Sequence, residues 1–327
     1  MASFFILALV GPTASGKTQI SLDLAENLKT SIISVDSMQV YRGMDIGTAK
    51  PSPEERRGIP HYGLDLSDPT KPFSVADYCA SIYPVLAEHY ERGQPVIASG
   101  GTGLYFKGLF EGLADAPPPD FEFRARMEAF ANSEGTVALF SRLAAIDAEA
   151  ALKIHPNDRK RIIRALEIHH VSGMNKTSFE GMQRPPAWAG RVAWFGLRRD
   201  FGELDARIDA RVDEMLAQGL VDEVKGLLGQ GCTRAHTSMQ ALGYKEIADH
   251  LEGQFPLDQA VEKIRQRTHR YARRQMTWFR PNPLIQWLDA GPQTSHGEIL
   301  GRILSATSAC GARSGKSWPW TKGRAAE

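Results

Sequence analysis

The sequence has few cysteines, no long apolar run and almost no net charge. Cys79, Cys232 and Cys310 lie far apart and form no CxxC pair, which argues against a zinc ribbon or a disulfide framework and favours a reducing, cytoplasmic setting. No stretch approaches the roughly 18 apolar residues of a membrane span, and the apolar opening segment lacks the basic flank of a signal peptide. We therefore expect no membrane partner and a buried first strand. Lys and Arg number 39 and Asp and Glu 38, so the net charge does not favour nucleic acid.

Several recognition motifs are also missing. The chain contains no convincing NKxD or DxxG motif, which a GTPase would need for base recognition and switching. It contains no helix-turn-helix, basic-zipper or zinc-finger pattern either, which disfavours duplex DNA as a partner. What remains is a chain of 327 residues, 42% of them hydrophobic, which suffices for one large core or two smaller ones.

Short apolar segments alternate with helical ones over the first hundred residues. The segments FFILALV, SIISV and QPVIAS are continuous in the way of strands buried on both faces, and helices are expected between them at 17–28 and 75–92. This order of elements is typical of an α/β fold with a parallel sheet. The later apolar segments VAWFGLRR and IQW, with helices expected at about 203–229 and 257–280, indicate that the chain returns to the same sheet.

The segment GPTASGKT follows the first predicted strand and precedes the first predicted helix. It matches the phosphate-binding pattern G-x-x-x-x-G-K-[ST], so a diphosphate or a nucleotide is expected to bind at Gly11, Pro12, Thr13, Ala14, Ser15, Gly16, Lys17 and Thr18. The glycines let successive N–H groups converge, the helix N-terminus and Lys17 add positive charge, and Thr18 offers a hydroxyl to Mg²⁺. An ordinary Gly-rich turn is the alternative, which the full motif in this context disfavours.

Two proline-rich segments, ADAPPPDFEF and RPPAWAG, interrupt the chain after the first hundred residues. The predicted fold is therefore a P-loop NTPase-like α/β core, a parallel sheet flanked by helices, with an inserted small helical domain. The core is expected at residues 1–119 and 191–290, and the inserted domain at 120–190. Residues 291–327 are rich in Gly, Ser, Arg and Ala without a periodic apolar face, so we expect a disordered tail.

Two further predicted strand ends carry polar side chains. Asp36 follows SIISV, and Thr102 lies in the Gly-rich segment ASGGTGLYFKGL after the third strand. Because the carboxyl ends of parallel strands meet at one edge of a sheet, Lys17, Asp36 and Thr102 are expected to lie close together. Asp36 is suited to hold Mg²⁺ through water or to accept a proton. A capping role for Asp36 and a plain turn around Thr102 are the alternatives.

Basic residues are clustered although the net charge is small. In KIRQRTHRYARRQMTWFRP, helical spacing places four of them on one face, with Tyr271 close by: Lys263, Arg267, Arg270 and Arg274. A second group opens a helix of the inserted domain, with Asn157 or Asp158 as its N-cap: Arg159, Lys160, Arg161 and Arg164. A solvated helix face is the alternative. Two clusters in a chain without basic excess favour a polyanion such as RNA.

Six segments together resemble the tRNA dimethylallyltransferases, also called tRNA isopentenyltransferases, of the bacterial type. They occur in the expected order over about residues 5–290: GPTASGKT, SVDSMQVYRGMDIGTAKP, GGTGLYFKGL, HPNDRKRIIRALEI, ALGYKE and RQMTWFRP. The resemblance implies a prenyltransferase that moves the dimethylallyl group of dimethylallyl diphosphate to N6 of the adenosine 3′-adjacent to the anticodon, releasing diphosphate. It implies Mg²⁺ as cofactor and the tRNA anticodon stem-loop as partner of what we expect to be a monomer.

The resemblance also implies roles for single residues. The catalytic set is Asp36 as acceptor of the N6 proton, Thr102 by the reaction channel, and Lys17 and Arg211 at the diphosphate. Contacts with tRNA are expected at Asp36, Ser37, Met38, Gln39, Thr102, Arg124, Lys160, Arg161, Ile162, Ile163, Arg164, Gln240, Ala241, Leu242, Gly243, Tyr244, Lys245, Arg267, Thr268, His269, Arg270, Tyr271, Ala272, Arg273 and Arg274. Two other functions stay open at this point: a P-loop kinase of a small molecule or nucleotide, and an RNA-binding ATPase or scaffold without group transfer.

Overall fold

A computed structural model describes residues 4–114 and 116–311, which belong to two units of the chain. One unit comprises Met1–Phe110 and Ala187–Glu327, and the other comprises Glu111–Pro186. The second unit differs from the predicted insertion at 120–190 because the first proline-rich segment is held by the helical unit itself. Arg164 donates a hydrogen bond to the carbonyl of Pro117 (2.9 Å), and the Gln183 side chain donates one to the carbonyl of Gly112.

The first unit is built on six strands: β1 (Ile6–Val10), β2 (Ile32–Val35), β3 (His61–Tyr62), β4 (Val96–Gly100), β5 (Val192–Arg198) and β6 (Gln286–Asp289). They form one parallel sheet in the order β3-β2-β4-β1-β5-β6, which confirms the predicted parallel α/β fold. Ile6 of β1 pairs with Val96 on one side and with Val192 on the other. The continuous apolar sequence of β1 follows from this central position, since both of its faces are buried. The two-residue strand β3 is too short to leave a sequence pattern.

The helices of the described residues follow in chain order: α1 (Lys17–Leu28), α2 (Val75–Glu91), α3 (Gly103–Glu111), α4 (Phe121–Ser133), α5 (Thr136–Ile146), α6 (Ala148–Lys153), α7 (Arg159–Ser172), α8 (Lys176–Gly181), α9 (Phe201–Ala217), α10 (Leu220–Gly229), α11 (Tyr244–Leu251), α12 (Leu257–Phe279) and α13 (His296–Gly311). The helix expected at 203–229 is divided into α9 and α10. Gly219 lies between them with a φ of 99°, which a right-handed helix does not allow. Within residues 4–114 and 116–311, no helix combines the length and the apolar character that crossing a bilayer requires.

The second unit, α4 to α8, has an apolar core of its own. Leu139 and Leu143 of α5 pack there with Ile162 and Ile163 of α7. Helix α7 starts as the sequence predicts, because the carboxylate of its N-cap Asp158 accepts the N–H of the third helical residue at 3.2 Å, and it ends at a left-handed glycine.

The predicted disorder of residues 291–327 is wrong for α13. Ile299 and Ile303, one turn apart, are buried in the sheet core together with Leu24 of α1 and Phe195 of β5. The sequence pattern was missed because small residues (Gly, Ser, Ala and Thr) surround this narrow apolar stripe and dilute its period. The rest of the predicted tail, residues 312–327, lies outside the described residues.

Candidate active site

The phosphate loop connects β1 to α1 and needs left-handed backbone at three positions. Gly11, Ala14 and Gly16 have φ values of 150°, 60° and 99°. Gly16 leaves the start of α1 without a side-chain cap, and the N–H groups of Lys17 and Thr18 have no acceptor among the described residues. Unpaired N–H groups at a helix N-terminus attract an anion, so the local geometry suits a phosphate.

Two arginines hold the outer side of this loop. Arg207 Nε donates to the carbonyl of Ala14 (2.8 Å), and Arg199 Nε donates to the carbonyl of Ser15 (3.1 Å). Because a trans peptide directs its C=O and N–H to opposite sides, the contact with Arg199 turns the N–H of Gly16 away from that arginine. The two arginines therefore help to aim the loop. Our sequence reasoning missed both.

The cationic side of the site is formed by Lys17 and Arg211. Lys17 Nζ donates to the carbonyl of Pro12 (2.6 Å) and lies 3.4 Å from Ser15 Oγ. Burial, together with the charge of Arg211 and against that of Asp36, lowers the pKa of Lys17 to about 7. Burial also lowers the pKa of Arg211, which makes no hydrogen bond with any residue that the structure describes. Asp36 and Glu214 act on these two cations only through space, and neither cation forms an ion pair with a described residue, which indicates a binding site for an anion.

Asp36 lies just after β2 and is anchored by one oxygen only. Its Oδ1 accepts the N–H groups of Met38 (2.8 Å) and Gln39 (3.3 Å). Its Oδ2 has no hydrogen-bond donor in residues 4–114 and 116–311. Burial raises the pKa of this carboxyl, while the two N–H groups and the charge of Lys17 act against that rise. A carboxylate that is fixed at one oxygen, free at the other and raised in proton affinity is suited to general-base work.

Thr102 joins the ends of β4 and β2. Its hydroxyl accepts the N–H of Ser37 (3.1 Å), and its own N–H donates to the carbonyl of Val35 (3.2 Å). The structure thus brings Thr102 against the residue next to Asp36, and Asp36 is close enough to Lys17 for each charge to shift the pKa of the other. The three predicted strand-end residues meet at one sheet edge.

The segment after Asp36 is pinned from α10 and α11. Glu223 of α10 accepts the three N–H groups of residues 45–47 at distances of 2.8 to 3.2 Å, and it also accepts the hydroxyl of Tyr244 (2.6 Å). Gln39 is committed in the same way, because its side chain accepts the Ser34 hydroxyl (2.7 Å) and donates to the carbonyl of Thr48 (3.1 Å). Gln39 and Tyr244, both expected to contact tRNA, therefore hold this segment in place.

The residues expected to contact tRNA differ widely in exposure. Five of them have buried side chains: Ile162, Ile163, Ala241, Tyr244 and Ala272. Five others are exposed: Lys160, Arg161, Gln240, Arg270 and Arg274. Direct contact with RNA stays a prediction for both groups.

Helix α12 carries both paired and unpaired basic residues. Four are matched to acids: Arg265 to Asp213, Arg267 to Glu246, His269 to Asp209 and Arg273 to Asp205. Arg270 and Arg274 have no acidic partner in the part of the chain that the structure describes, and the Arg274 guanidinium lies 5.7 Å from the centre of the Tyr271 ring. Lys263 likewise has no acidic partner among the described residues, so the free positive charge of α12 is carried by Lys263, Arg270 and Arg274.

In the second unit, Arg124 and Arg164 share one buried acid. Arg124 makes two hydrogen bonds to Glu167 (2.7 and 2.9 Å), and Arg164 makes a third. Burial of Glu167 favours the neutral acid, but these bonds outweigh it and lower the pKa of Glu167. Both arginines are thus bound within the helical unit, and their expected contacts with tRNA stay predictions.

Two oxygen atoms near the phosphate loop remain free to bind Mg²⁺. The Thr18 hydroxyl is exposed and has no hydrogen-bond partner among the described residues, and Asp36 keeps one free carboxylate oxygen. Both are hard oxygen ligands. No group of three or more His, Cys, Asp or Glu side chains suited to a metal occurs in residues 4–114 and 116–311. Mg²⁺ bound with substrate phosphates characteristically takes only one or two protein oxygens, so this donor set is sufficient.

Comparison with known proteins gives consistent results. A family model described as IPP transferase matches residues 39–282. The chain is 44% identical over 302 residues to the tRNA dimethylallyltransferase of Syntrophobacter fumaroxidans, covering 92% of this chain and 87% of that protein. Its fold is similar to the crystal structure of the tRNA isopentenylpyrophosphate transferase from Bacillus halodurans (TM-score 0.67, 39% identity, 96% of this chain and 100% of that one). It is also similar to a eukaryotic dimethylallyltransferase acting on tRNA (TM-score 0.80, 27% identity, 95% and 80%).

Proposed function

The chain belongs to the IPP transferase family, that of the tRNA dimethylallyltransferases, and on this premise we propose that it transfers the dimethylallyl group of dimethylallyl diphosphate to N6 of the adenosine 3′-adjacent to the anticodon in tRNA. In this reaction the allylic C–O bond breaks and a C–N bond forms. The diphosphate leaves, and the N6 proton passes to a base. The phosphate loop then holds a leaving group, and no phosphoryl group is transferred.

The observation that carries the proposal is that Asp36 and Lys17 lie near each other at one sheet edge. A carboxylate with one free oxygen lies in the field of the phosphate-loop lysine, so a proton acceptor and an anion site face the same region. Asp36 takes the proton of the exocyclic amine as the amine attacks carbon. General-base catalysis of this kind contributes on the order of 10²- to 10⁴-fold in rate.

The leaving diphosphate is stabilised by the groups around the loop. The unpaired N–H groups at the start of α1, Lys17 and Arg211 all supply positive charge where negative charge develops. Each preorganised donor contributes about 3 kcal/mol to such a transition state. Mg²⁺, held by the Thr18 hydroxyl and through water by Asp36, would add a further charge on the departing oxygens.

The RNA side of the proposal rests on exposed basic residues in each unit. Arg270 and Arg274 of α12 and Lys160 and Arg161 of α7 are available for phosphate contacts, which dominate the affinity of proteins for nucleic acid. A base must leave its stack to reach an enzyme pocket, and the bases of a loop do so more readily than those of a duplex. We therefore propose the anticodon stem-loop as the bound element.

We further propose that the enzyme is monomeric and acts in the cytoplasm. Support for the compartment comes from the cysteines, since Cys79 and Cys232 are free, buried thiols.

The test is to incubate the protein with dimethylallyl diphosphate, Mg²⁺ and unmodified tRNA, and to analyse the nucleosides by mass spectrometry. We expect one dimethylallyl group per tRNA on the adenosine next to the anticodon. A tRNA with guanosine at that position is the matched control and should stay unmodified. Modification at any other adenosine, or none at all, contradicts the proposal.

The kinase and the ATPase or scaffold alternatives are separated in the same mixture. The relatives named above are prenyl-transferring enzymes, which supports group transfer over both alternatives. A kinase releases ADP from ATP in proportion to turnover without any prenyl donor, and a scaffold binds tRNA without modifying it. Either result would displace dimethylallyl transfer as the function.

A further inference from the structure

Gln275 of α12 is a buried polar residue with both ends of its amide in use. Its side chain is only 5% exposed. Its Oε1 accepts the N–H of Thr13 (2.8 Å), and its Nε2 donates to the carbonyl of Gly101 (3.0 Å). The residue therefore bridges the phosphate loop after β1 and the Gly-rich segment after β4. None of the site roles assigned above includes it.

The bond to Thr13 determines which way one peptide group of the loop faces. The N–H of Thr13 and the C=O of Pro12 belong to the same trans peptide, so they point to opposite sides. While Gln275 holds the N–H, the carbonyl is directed at Lys17 Nζ, which donates to it at 2.6 Å. Gln275 is thus linked to Lys17 through one rigid group, the Pro12–Thr13 peptide.

Packing around Gln275 leaves little freedom for another arrangement. A Cβ atom at residue 101 would lie 2.0 Å from Gln275 Nε2, so only glycine lets the amide reach the backbone there. Gly101 precedes Thr102, whose hydroxyl accepts the N–H of Ser37. One side chain of α12 therefore connects the lysine of the diphosphate site with the strand end that faces the acceptor.

We infer that Gln275 is a positioning residue that fixes the Pro12–Thr13 peptide so that the Pro12 carbonyl holds Lys17 at the diphosphate site. The inference rests on the proposed function for its ligand, a diphosphate, and extends it to a residue that touches neither substrate. Loss of the bond lets the peptide rotate and releases the lysine. Since a hydrogen bond to a charged group is stronger than one between neutral groups, we expect pyrophosphate affinity to fall on the order of tenfold.

A double-mutant cycle with inorganic pyrophosphate tests this route. Gln275→Met keeps the length of the side chain but makes neither bond, and Lys17→Met removes the lysine that it is inferred to orient. Measured by titration calorimetry, Gln275→Met should cost about tenfold in the wild-type background and less than about twofold in the Lys17→Met background. Its affinity for tRNA should stay within about twofold, because the exposed arginines of α12 are unchanged. Equal losses in both backgrounds, or no loss in the first, overturn the inference.

The matched control is Gln266→Met on the same helix, an exposed glutamine whose amide bonds only to Glu262 (2.8 Å) among the residues that the structure describes. It should leave pyrophosphate affinity unchanged. If Gln275→Met does not fold, amide hydrogen exchange of the wild-type protein decides. The Thr13 N–H should be protected with or without pyrophosphate, whereas the N–H groups of Lys17 and Thr18 become protected only when it is added. Fast exchange at Thr13 in the free protein contradicts the inference.

The inference and the proposed function fail separately. Transfer of the dimethylallyl group to tRNA by the wild-type protein, with additive effects in the cycle, removes the role of Gln275 alone. Coupled effects in the cycle without any transfer remove the proposed reaction and leave the positioning role in place.

Discussion

The depressed pKa of Lys17 predicts how donor binding depends on pH. In the free protein, burial and Arg211 lower this pKa from 10.5 to about 7, whereas a bound diphosphate restores the charged form. Binding above neutral pH therefore takes up a proton, so affinity must fall as pH rises through the free pKa and stay constant below it. The slope approaches one decade per pH unit, which gives a loss of about tenfold at pH 8 and about 100-fold at pH 9 relative to the affinity of the fully charged lysine.

The measurement is calorimetric titration with dimethylallyl diphosphate, whose own ionisation is nearly complete above roughly pH 7. Buffers of different ionisation enthalpy report the proton taken up, which should approach one per ligand near pH 9. Lys17→Arg keeps its charge throughout this range, so its affinity should be independent of pH. Lys225→Met, at an exposed position of α10, should behave like the wild type. A flat wild-type profile, or an equal decline in Lys17→Arg, refutes the reasoning.

Three further predictions concern the base, the RNA surface and the C-terminal helix. Asp36→Asn should lower dimethylallyl incorporation by about 10²-fold or more while tRNA binding stays near normal, and undiminished incorporation would remove Asp36 as the base. In the wild type, incorporation should decline on acidification at a higher pH than an ordinary aspartate would give, because burial raises the pKa of Asp36. Arg270→Ala should reduce the slope of the logarithm of the tRNA association constant against the logarithm of salt concentration by about one. Arg265 is paired with Asp213 on the opposite face, so Arg265→Ala should leave the slope unchanged. Equal slopes for the two variants would place the RNA elsewhere. Ile303→Ala should lower the free energy of unfolding in urea by about 2 to 5 kcal/mol because its side chain is fully buried, with Ser305→Ala as the exposed control; a change near zero would mean that α13 is not docked in solution.

Much of the sheet was predictable because its strands are buried on both faces. Continuous apolar segments such as the one around Ile6–Val10 leave a pattern that no amphipathic element shares. Helix α13 was not predictable in the same way, since its large apolar residues are confined to a short part of it and the segment around them is rich in Gly, Ser, Ala and Thr, which carry little hydrophobic signal. Its place depends on contacts with α1, which lies almost 300 residues away along the chain.

The residues of the candidate site also differ in whether the sequence could predict them. Lys17, Asp36 and Thr102 follow strand ends, and topology alone brings such positions to one edge. Arg207 was visible in principle, because it lies four residues before Arg211 and so on the same face of α9. Gln275 could not be found from spacing, since its function depends on which backbone groups of two distant loops its amide meets.

The contacts of Glu223 have a consequence for how this protein meets its acceptor. The stretch following Asp36 contains no regular structure until β3, yet an acid from α10 already fixes its backbone at residues 45–47. This stretch loses its conformational entropy when the protein folds, so the binding of a nucleotide there would require little further ordering. On the proposed function, in which the target base contacts this stretch, a substitution in α10 that frees residues 45–47 should change fidelity toward that base without replacing any residue that contacts it.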